Sequence, residues 1–469
     1  MTSARRLNVL VIAIDTQRAD HLSCYGYQRL TSPHLDRFAS QGALFEEAYS
    51  PHIPTHPGYT TLFSGKDVFS HQIVTQGGKL ELAPEVRQLA EVLQEHGYFT
   101  GAADNMGRWF KRGFEAYEVY RWDQQGTEWR KAEAVNETLL PLLDRAAGEA
   151  QGGRPFFLFA HYWDPHTPYL PPAPFSRMFY AGDEKDPSNR SMDPVFAFEP
   201  FTLYFQQWMG GVTDIRFPSA QFDAEIAYVD ATLAHVFNRL DELGLSDDTL
   251  VIVTADHGEC LDDHECWFDH HGLYEENIRV PLLMRLPGRI PAGRRIKGFA
   301  RLTDIAPTIL EAAGLAAVTQ AEGMEGRSLW PEATGASGRR VPTDELYLTE
   351  CTWMRKRGWR TREWKLIQAM EPDIHGFPPL ELYNLSRDPR EQHNLAEAEP
   401  EVARKLLKRL ERHAAERLKR TALPDPIQTQ SITLRKIGEM KTAVPEDQKL
   451  MADEGSARRV AAGPRASTS

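Results

Sequence analysis

The sequence predicts an α/β fold: a central, mostly parallel sheet flanked by helices, with a smaller C-terminal α+β subdomain. Three observations predict it. Apolar strand-like runs alternate with helix-like patterns along the first 330 residues. Several of those runs are followed at once by Asp or His, the residue types that gather where ligands bind at the carboxyl ends of parallel strands. After about residue 330 the composition shifts toward shorter strand-like segments and one charged helix.

The elements follow in order. Val9–Ile14 is a buried strand, and Leu35–Gln41 has helical spacing. Leu89–Glu95 reads as a helix, and Phe99–Ala103 as a short strand behind Gly97. Ala132–Ala147 is a helix, Pro155–Phe159 a strand, Ala224–Leu243 a helix and Leu250–Thr254 a strand. β-branched apolar strands spaced by helices argue for parallel pairing with both faces covered. Glu345–Leu348, Trp364–Ile367 and Glu381–Leu385 suit short antiparallel strands, and Pro400–Lys419 an amphipathic helix. The expected domains are therefore residues 1–330 and 331–420, with a polar tail over 421–469 that loses most apolar character from Ala452 and is expected to be partly disordered.

Composition narrows the function. The 54 Lys and Arg against 66 Asp and Glu give a net charge of −12, which argues against a nucleic-acid polymer or an anionic membrane as partner. An anionic substrate would need local positive charge, from a metal or a few cationic side chains. Four cysteines, Cys24, Cys260, Cys266 and Cys351, are too few for a disulfide framework. The start MTSARRLNVLVIAID has a short apolar run broken by Asp15 and no small-residue cleavage site. No apolar stretch reaches membrane-spanning length, so the expected localisation is cytoplasmic.

Three constellations carry chemistry. Asp15 ends the first strand in NVLVIAID, where a buried carboxylate is costly unless paired or bound to a cation. As a lone residue it reads equally as a helix cap. Asp256 and His257 end another strand in VIVTADHGE, where two adjacent side chains can offer oxygen and nitrogen to one ion. Together the two strand ends favour a divalent metal: Mn²⁺, Zn²⁺, Ca²⁺ or Mg²⁺. The third is SPHIPTHPGYTTLFSGK, residues 50–66, in which Pro54 and Pro57 bracket Thr55 in an expected loop. Its Gly-Lys end does not make a phosphate loop, because the first glycine of that motif would fall on Thr60. Cys260, His264 and Cys266, with His257 or His270, offer a zinc knot whose spacing matches no common structural pattern.

The block NVLVIAIDTQRADHLSCYGYQRLTSPHLDRFASQGALFEEAYS resembles the N-terminal block of sulfatases and related members of the alkaline phosphatase superfamily. FFLFAHYWDPHTPYLPP, DDTLVIVTADHGE, GLYEENIRVPLLMRLPG and RLTDIAPTILEAAGL extend the resemblance, and WKLI with ELYNLSRDPREQHNL is similar to the C-terminal subdomain of the family. It covers roughly residues 8–415. The departure is informative. Sulfatases carry Cys-x-Pro-x-Arg, whose Cys or Ser becomes formylglycine. Here Thr55 stands at that position, with Pro57 on the proline and Tyr59 on the arginine. Thr gives no formylglycine by that route. The Thr-x-Pro segment is similar instead to nucleotide phosphodiesterases, where unmodified Thr attacks phosphorus, and Asp-His at 256–257 is similar to phosphonate monoester hydrolases. Thr16 stands where many sulfatases have a second Asp.

The resemblance implies Asp15, Thr55, Asp256 and His257 as metal ligands, and Thr55, His166, His270 and His271 as catalytic groups. His161 or Asp164, with His166 and His271, could alternatively hold a second ion or touch substrate; the sulfatase-like motifs favour one ion over two. Arg18, Lys66 and Tyr59 flank the motifs and are candidate substrate contacts, although each also reads as a solvated charge or packing. The expected activity is metal-dependent hydrolysis of a small anionic phosphodiester or phosphonate monoester through a covalent Thr intermediate, by a monomer or homo-oligomer. Sulfuric ester hydrolysis, phospho-group transfer and non-catalytic anion binding are the rivals.

Overall fold

The computed structural model describes residues 6–77, 80–121, 124–125, 128–430 and 432. A nine-stranded sheet forms its centre. Asn8–Ile14 lies parallel between Phe156–Tyr162 and Thr249–Thr254. Phe99–Ala103 and Ala116–Glu118 extend one flank, also parallel. On the other flank Leu282–Arg285 runs antiparallel between Thr249–Thr254 and Ala43–Tyr49. Arg279–Val280 and Arg294–Arg301 complete that side.

Side chains alternate across a strand, and the central strand divides accordingly. Val9, Val11 and Ala13 face one core with Leu62 and Phe63 of the helix Thr55–Ser64 and Leu89, Val92 and Leu93 of the helix Leu89–Glu95. Leu10, Ile12 and Ile14 face a second core with Val135, Leu139 and Leu142 of the helix Lys131–Gln151 and Phe222, Ile226 and Leu233 of the helix Arg216–Glu242. All seven residues of the strand are buried, at about 1.5–3 kcal/mol for each large apolar side chain. Register aligns the strand ends: Ala13 pairs with His161 on one side and with Thr254 on the other. Asp15, His161 and Asp256 therefore emerge at one edge.

A second sheet joins Leu380–Asn384, Trp364–Ala369, Lys356–Thr361 and Glu345–Glu350 antiparallel. Ala403, Leu406, Leu410 and Ala414 of the helix Pro400–Thr421 pack on it. Its last strand is His52–Ile53, parallel to Glu345–Glu350, so the second sheet grips the chain directly ahead of Thr55. The expected tail begins in ordered structure: Asp425 caps a turn at Pro426–Thr429, and Ile427 is buried. Residues 433–469 lie outside the described residues.

One expected loop is a helix. Thr55 is the first residue of Thr55–Ser64, not part of a Pro-bracketed loop. Pro57 is tolerated because the first turn of a helix has no internal partner for its N–H groups. The strands Ala43–Tyr49 and Arg294–Arg301 carry charged residues, and Leu282–Arg285 is only four residues long, so none had a strand signal strong enough to stand out.

Lys131 supplies a fully buried cation between the helices. Its Nζ lies 2.9 Å from Asp164 and 3.8 Å from Glu225, both buried. Removing one partner strands the others, so Lys131→Ala is expected to cost about 3–5 kcal/mol, read as a shift in the urea unfolding midpoint. A variant within about 1 kcal/mol of the parent would contradict this.

Candidate active site

At the sheet edge, the Asp15 N–H still donates to the Tyr162 carbonyl at 2.8 Å, continuing the ladder. Thr16 then turns at φ 53°, and its N–H donates to Asp256 Oδ1 at 3.3 Å. His161 bridges two carboxylates: Nδ1 lies 2.9 Å from Asp104 and Nε2 3.2 Å from Asp15. Burial disfavours its charge, yet the two carboxylates raise its pKa to about 9. His161 is thus a buried cation that orients Asp15. Burial likewise opposes ionisation of Asp15, but the His161 hydrogen bond and the nearby His166 and His257 hold that carboxyl down at about 2.

Thr55 enters from the opposite side, on the N-terminus of a ten-residue helix, whose unpaired N–H groups and dipole favour an anion. His257 Nδ1 faces the Gly258 carbonyl at 2.9 Å. A carbonyl only accepts, so Nδ1 carries the proton and Nε2 presents a lone pair. The Thr55 hydroxyl donates to that nitrogen at 3.2 Å. The close approach depends on Gly58. A Cβ there would meet the Asp256 carbonyl oxygen at 2.9 Å and Asp256 Cβ at 3.2 Å. Gly58→Ala must push the helix away from the strand end, and misplacement on this scale is expected to lower kcat by about 10- to 100-fold. Steady-state kinetics check this; an unchanged kcat would contradict the packing argument.

Asp15, Asp256 and His257 offer donor atoms that all lie within 4.8 Å of one another, each residue buried. Asp15 Oδ1 and Asp256 Oδ2 are buried with no hydrogen-bond partner. Burial and the facing Asp15 push Asp256 up to about 6. Two orphaned carboxylate oxygens beside an imidazole lone pair fit a divalent cation. These three residues would hold it, with Thr55 adjacent.

Two histidines face the same space. His270 stacks on His257 with ring centroids 4.6 Å apart, and His166 lies 5.1 Å from His270. Burial opposes the charge of His270, but Asp269 and Glu259 raise its pKa to about 9. Burial lowers His166 to about 4. His166 Nδ1 points at the Thr167 carbonyl, 2.7 Å away, leaving Nε2 as an acceptor. A cationic and a neutral imidazole therefore sit side by side.

Other sequence candidates lie elsewhere. His271 turns away from the cleft, with Nε2 2.6 Å from His375 Nε2. Asp164 is held by Lys131 and by the Ala132 N–H at 2.8 Å, so neither it nor the doubly engaged His161 offers a second ion site. Arg18 is saturated by Asp20 at 2.8 Å and Asp263 at 2.6 Å. Lys66 Nζ donates to the carbonyls of Glu322 and Gly323 at 2.5 and 2.9 Å. Tyr59 is fully buried, edge-on to His161 at 5.1 Å; it backs the site as packing. His264 stacks on Tyr274 at 3.8 Å rather than joining Cys260 and Cys266. Asp104, Glu259 and His375 were missed. Asp104 carried a readable signal, since it directly follows the strand Phe99–Ala103 just as Asp15 follows its own.

An α/β sheet with Asp, Asp-His and a helix-borne hydroxyl at its carboxyl edge is suited to metal-assisted ester hydrolysis. The chain belongs to the sulfatase family: residues 7–315 match the family model described as Sulfatase. Residues 263–416 match a second one, N-sulphoglucosamine sulphohydrolase, C-terminal. It is a hydrolase of that family and of the alkaline phosphatase superfamily. Similar proteins include the N-acetylglucosamine-6-O-sulfatase of Bacteroides thetaiotaomicron, 24% identical over 83% of each chain. The multifunctional alkaline phosphatase superfamily protein PehA of Trinickia caryophylli is 28% identical over 70% of this chain and 77% of its own. The crystal structure of the phosphonate monoester hydrolase of Agrobacterium radiobacter superimposes with a TM-score of 0.65 at 22% identity, covering 88% of this chain and 96% of that one. Among the described residues no helix is long and apolar enough to cross a membrane.

Proposed function

We propose that the protein hydrolyses a small phosphodiester or phosphonate monoester, with Thr55 as an unmodified nucleophile. The observation that carries this is the Thr55 hydroxyl at the formylglycine position of the family, on a helix N-terminus and 3.2 Å from His257. Asp15, Asp256 and His257 would hold a divalent cation, which when bound would supply Lewis acidity toward the Thr55 hydroxyl and the substrate anion. Thr55 attacks phosphorus in line, its helix N-terminus favouring the anionic group, and its hydroxyl proton passes to the neutral imidazole of His166. His270, a cation at neutral pH, sits where it can protonate the leaving oxygen. Once neutral, it takes the proton of the water that cleaves the phospho-Thr bond, and His166 returns its proton to the departing Thr55 oxygen. A Thr ester of sulfate has no equivalent of the hemiacetal elimination available to formylglycine, so phosphorus is favoured over sulfur.

Sulfuric ester hydrolysis is the second reading, favoured by the sulfatases among the similar proteins. A panel of aryl phosphate, phosphodiester, phosphonate and sulfate substrates, each with several divalent metals, separates the two. The expected result is phosphodiester or phosphonate turnover well above sulfate turnover. Dominant sulfate turnover would overturn the proposal and leave the fold intact.

A further inference from the structure

A second group of side chains that could hold a metal ion takes no part in the proposed chemistry. Cys266 and His271 belong to the loop that follows Asp256–His257, and both are buried. His375 comes from the connection between Trp364–Ala369 and Leu380–Asn384 in the second sheet. The donor atoms of Cys266, His271 and His375 all lie within 4.8 Å of one another, and the two Nε2 atoms face each other at 2.6 Å. Two nitrogens on one tetrahedral zinc stand about 3.3 Å apart, so an ion needs the rings to part by less than an ångström.

The surroundings are those of a metal site. His271 Nδ1 is buried without a hydrogen-bond partner and turns toward Asp269 Oδ1, 3.5 Å away. A small shift of the ring that closes this gap would give the carboxylate-to-imidazole contact that orients a ligating histidine. Phe198 lies flat on His375, with centroids 4.3 Å apart and planes at 7°, and Phe201 stacks on His271 at 5.7 Å. The two rings cover one side of the cluster, and His375 stays half-buried. Cys260 lies alongside, its Sγ 3.9 Å from the His271 carbonyl.

We propose that Cys266, His271 and His375 bind a zinc ion, distinct from the catalytic cation, with a water in the fourth position. One sulfur and two imidazole nitrogens select a borderline-soft ion over Mg²⁺, Ca²⁺ or Mn²⁺, which prefer oxygen. The two carboxylates of the catalytic set lean the other way. The bound ion clips the second sheet to the loop that presents His270, the immediate neighbour of His271 in sequence. Binding requires the Cys266 thiolate, so one proton leaves the thiol as the S–Zn bond forms. The proposal does not depend on the identity of the nucleophile.

The test uses the full chain with the catalytic set disabled by Asp15→Asn and Asp256→Asn. After dialysis against metal-free buffer, elemental analysis is expected to find about one zinc per chain. Adding Cys266→Ser and His375→Ala should remove it. Absence of zinc from the folded double variant, or zinc that persists in the quadruple variant, would overturn the proposal. Wild-type protein loaded with Co²⁺ gives a readout that does not require those variants to fold. A thiolate-to-cobalt charge-transfer band is expected in the near ultraviolet, and its absence would likewise overturn the assignment.

Discussion

Thr55→Ala is expected to lower turnover by several orders of magnitude while leaving a folded protein, because it removes the atom that forms the covalent bond. The substitution is local. Thr55 is buried at the first position of its helix, and its hydroxyl contacts His257 across a 3.2 Å gap. If Thr55 only helped to start the helix, its loss would cost about 0.5–2 kcal/mol and leave the chemistry running. The two roles therefore separate cleanly in kcat. Thr55→Ser should retain partial activity, since the hydroxyl survives while the methyl that restricts its rotamer is lost. Near-normal turnover by a folded Thr55→Ala protein would remove the nucleophile assignment.

Asp256→Ala is expected to lose the bound divalent ion and activity together, measured by elemental analysis and by turnover with added metal. Its effect on stability should change sign with metal. With the ion present, the variant forfeits the stabilisation that binding gives the native state. Under chelation, wild-type protein keeps two facing buried carboxylates, and burial with Asp15 holds Asp256 up at about 6. Unfolded Asp titrates near ~3.9. Between those values the chelated native state binds more protons than the unfolded state, so stability falls as pH rises from about 4 to 6. Asp256→Ala removes that slope and should melt at or above the chelated wild type near neutral pH. If active wild-type protein contains no divalent metal, or the chelated variant is markedly less stable, the metal assignment fails.

Much of this fold was legible because its strands are apolar on both faces. Val9–Ile14 and Leu250–Thr254 sit within one residue of the structural strands Asn8–Ile14 and Thr249–Thr254. Phe99–Ala103 and the helix Leu89–Glu95 coincide with theirs. Ala43–Tyr49 was not legible, since two adjacent glutamates interrupt its apolar residues. The site divides in the same way. Asp15, Asp256 and His257 were readable as strand-end residues, a purely local signal. The engagement of Lys66 with the carbonyls of Glu322 and Gly323 was not, because the partners lie more than 250 residues away in sequence. The same holds for His375: nothing near it in sequence pairs it with His271, 104 residues earlier. Thr55 was readable as the candidate nucleophile only through the family pattern; its own neighbours, two prolines, suggested a loop where a helix begins.

The central claim is that Thr55 itself carries the phospho-group. Rapid acid quench during turnover of an aryl phosphodiester, followed by peptide mass spectrometry, tests it directly. The account predicts added phosphoryl or phosphonyl mass on the peptide containing Thr55, absent from Thr55→Ala. An active wild-type enzyme that accumulates no such adduct under single-turnover conditions with fast chemistry, or that carries it on another residue, would contradict it.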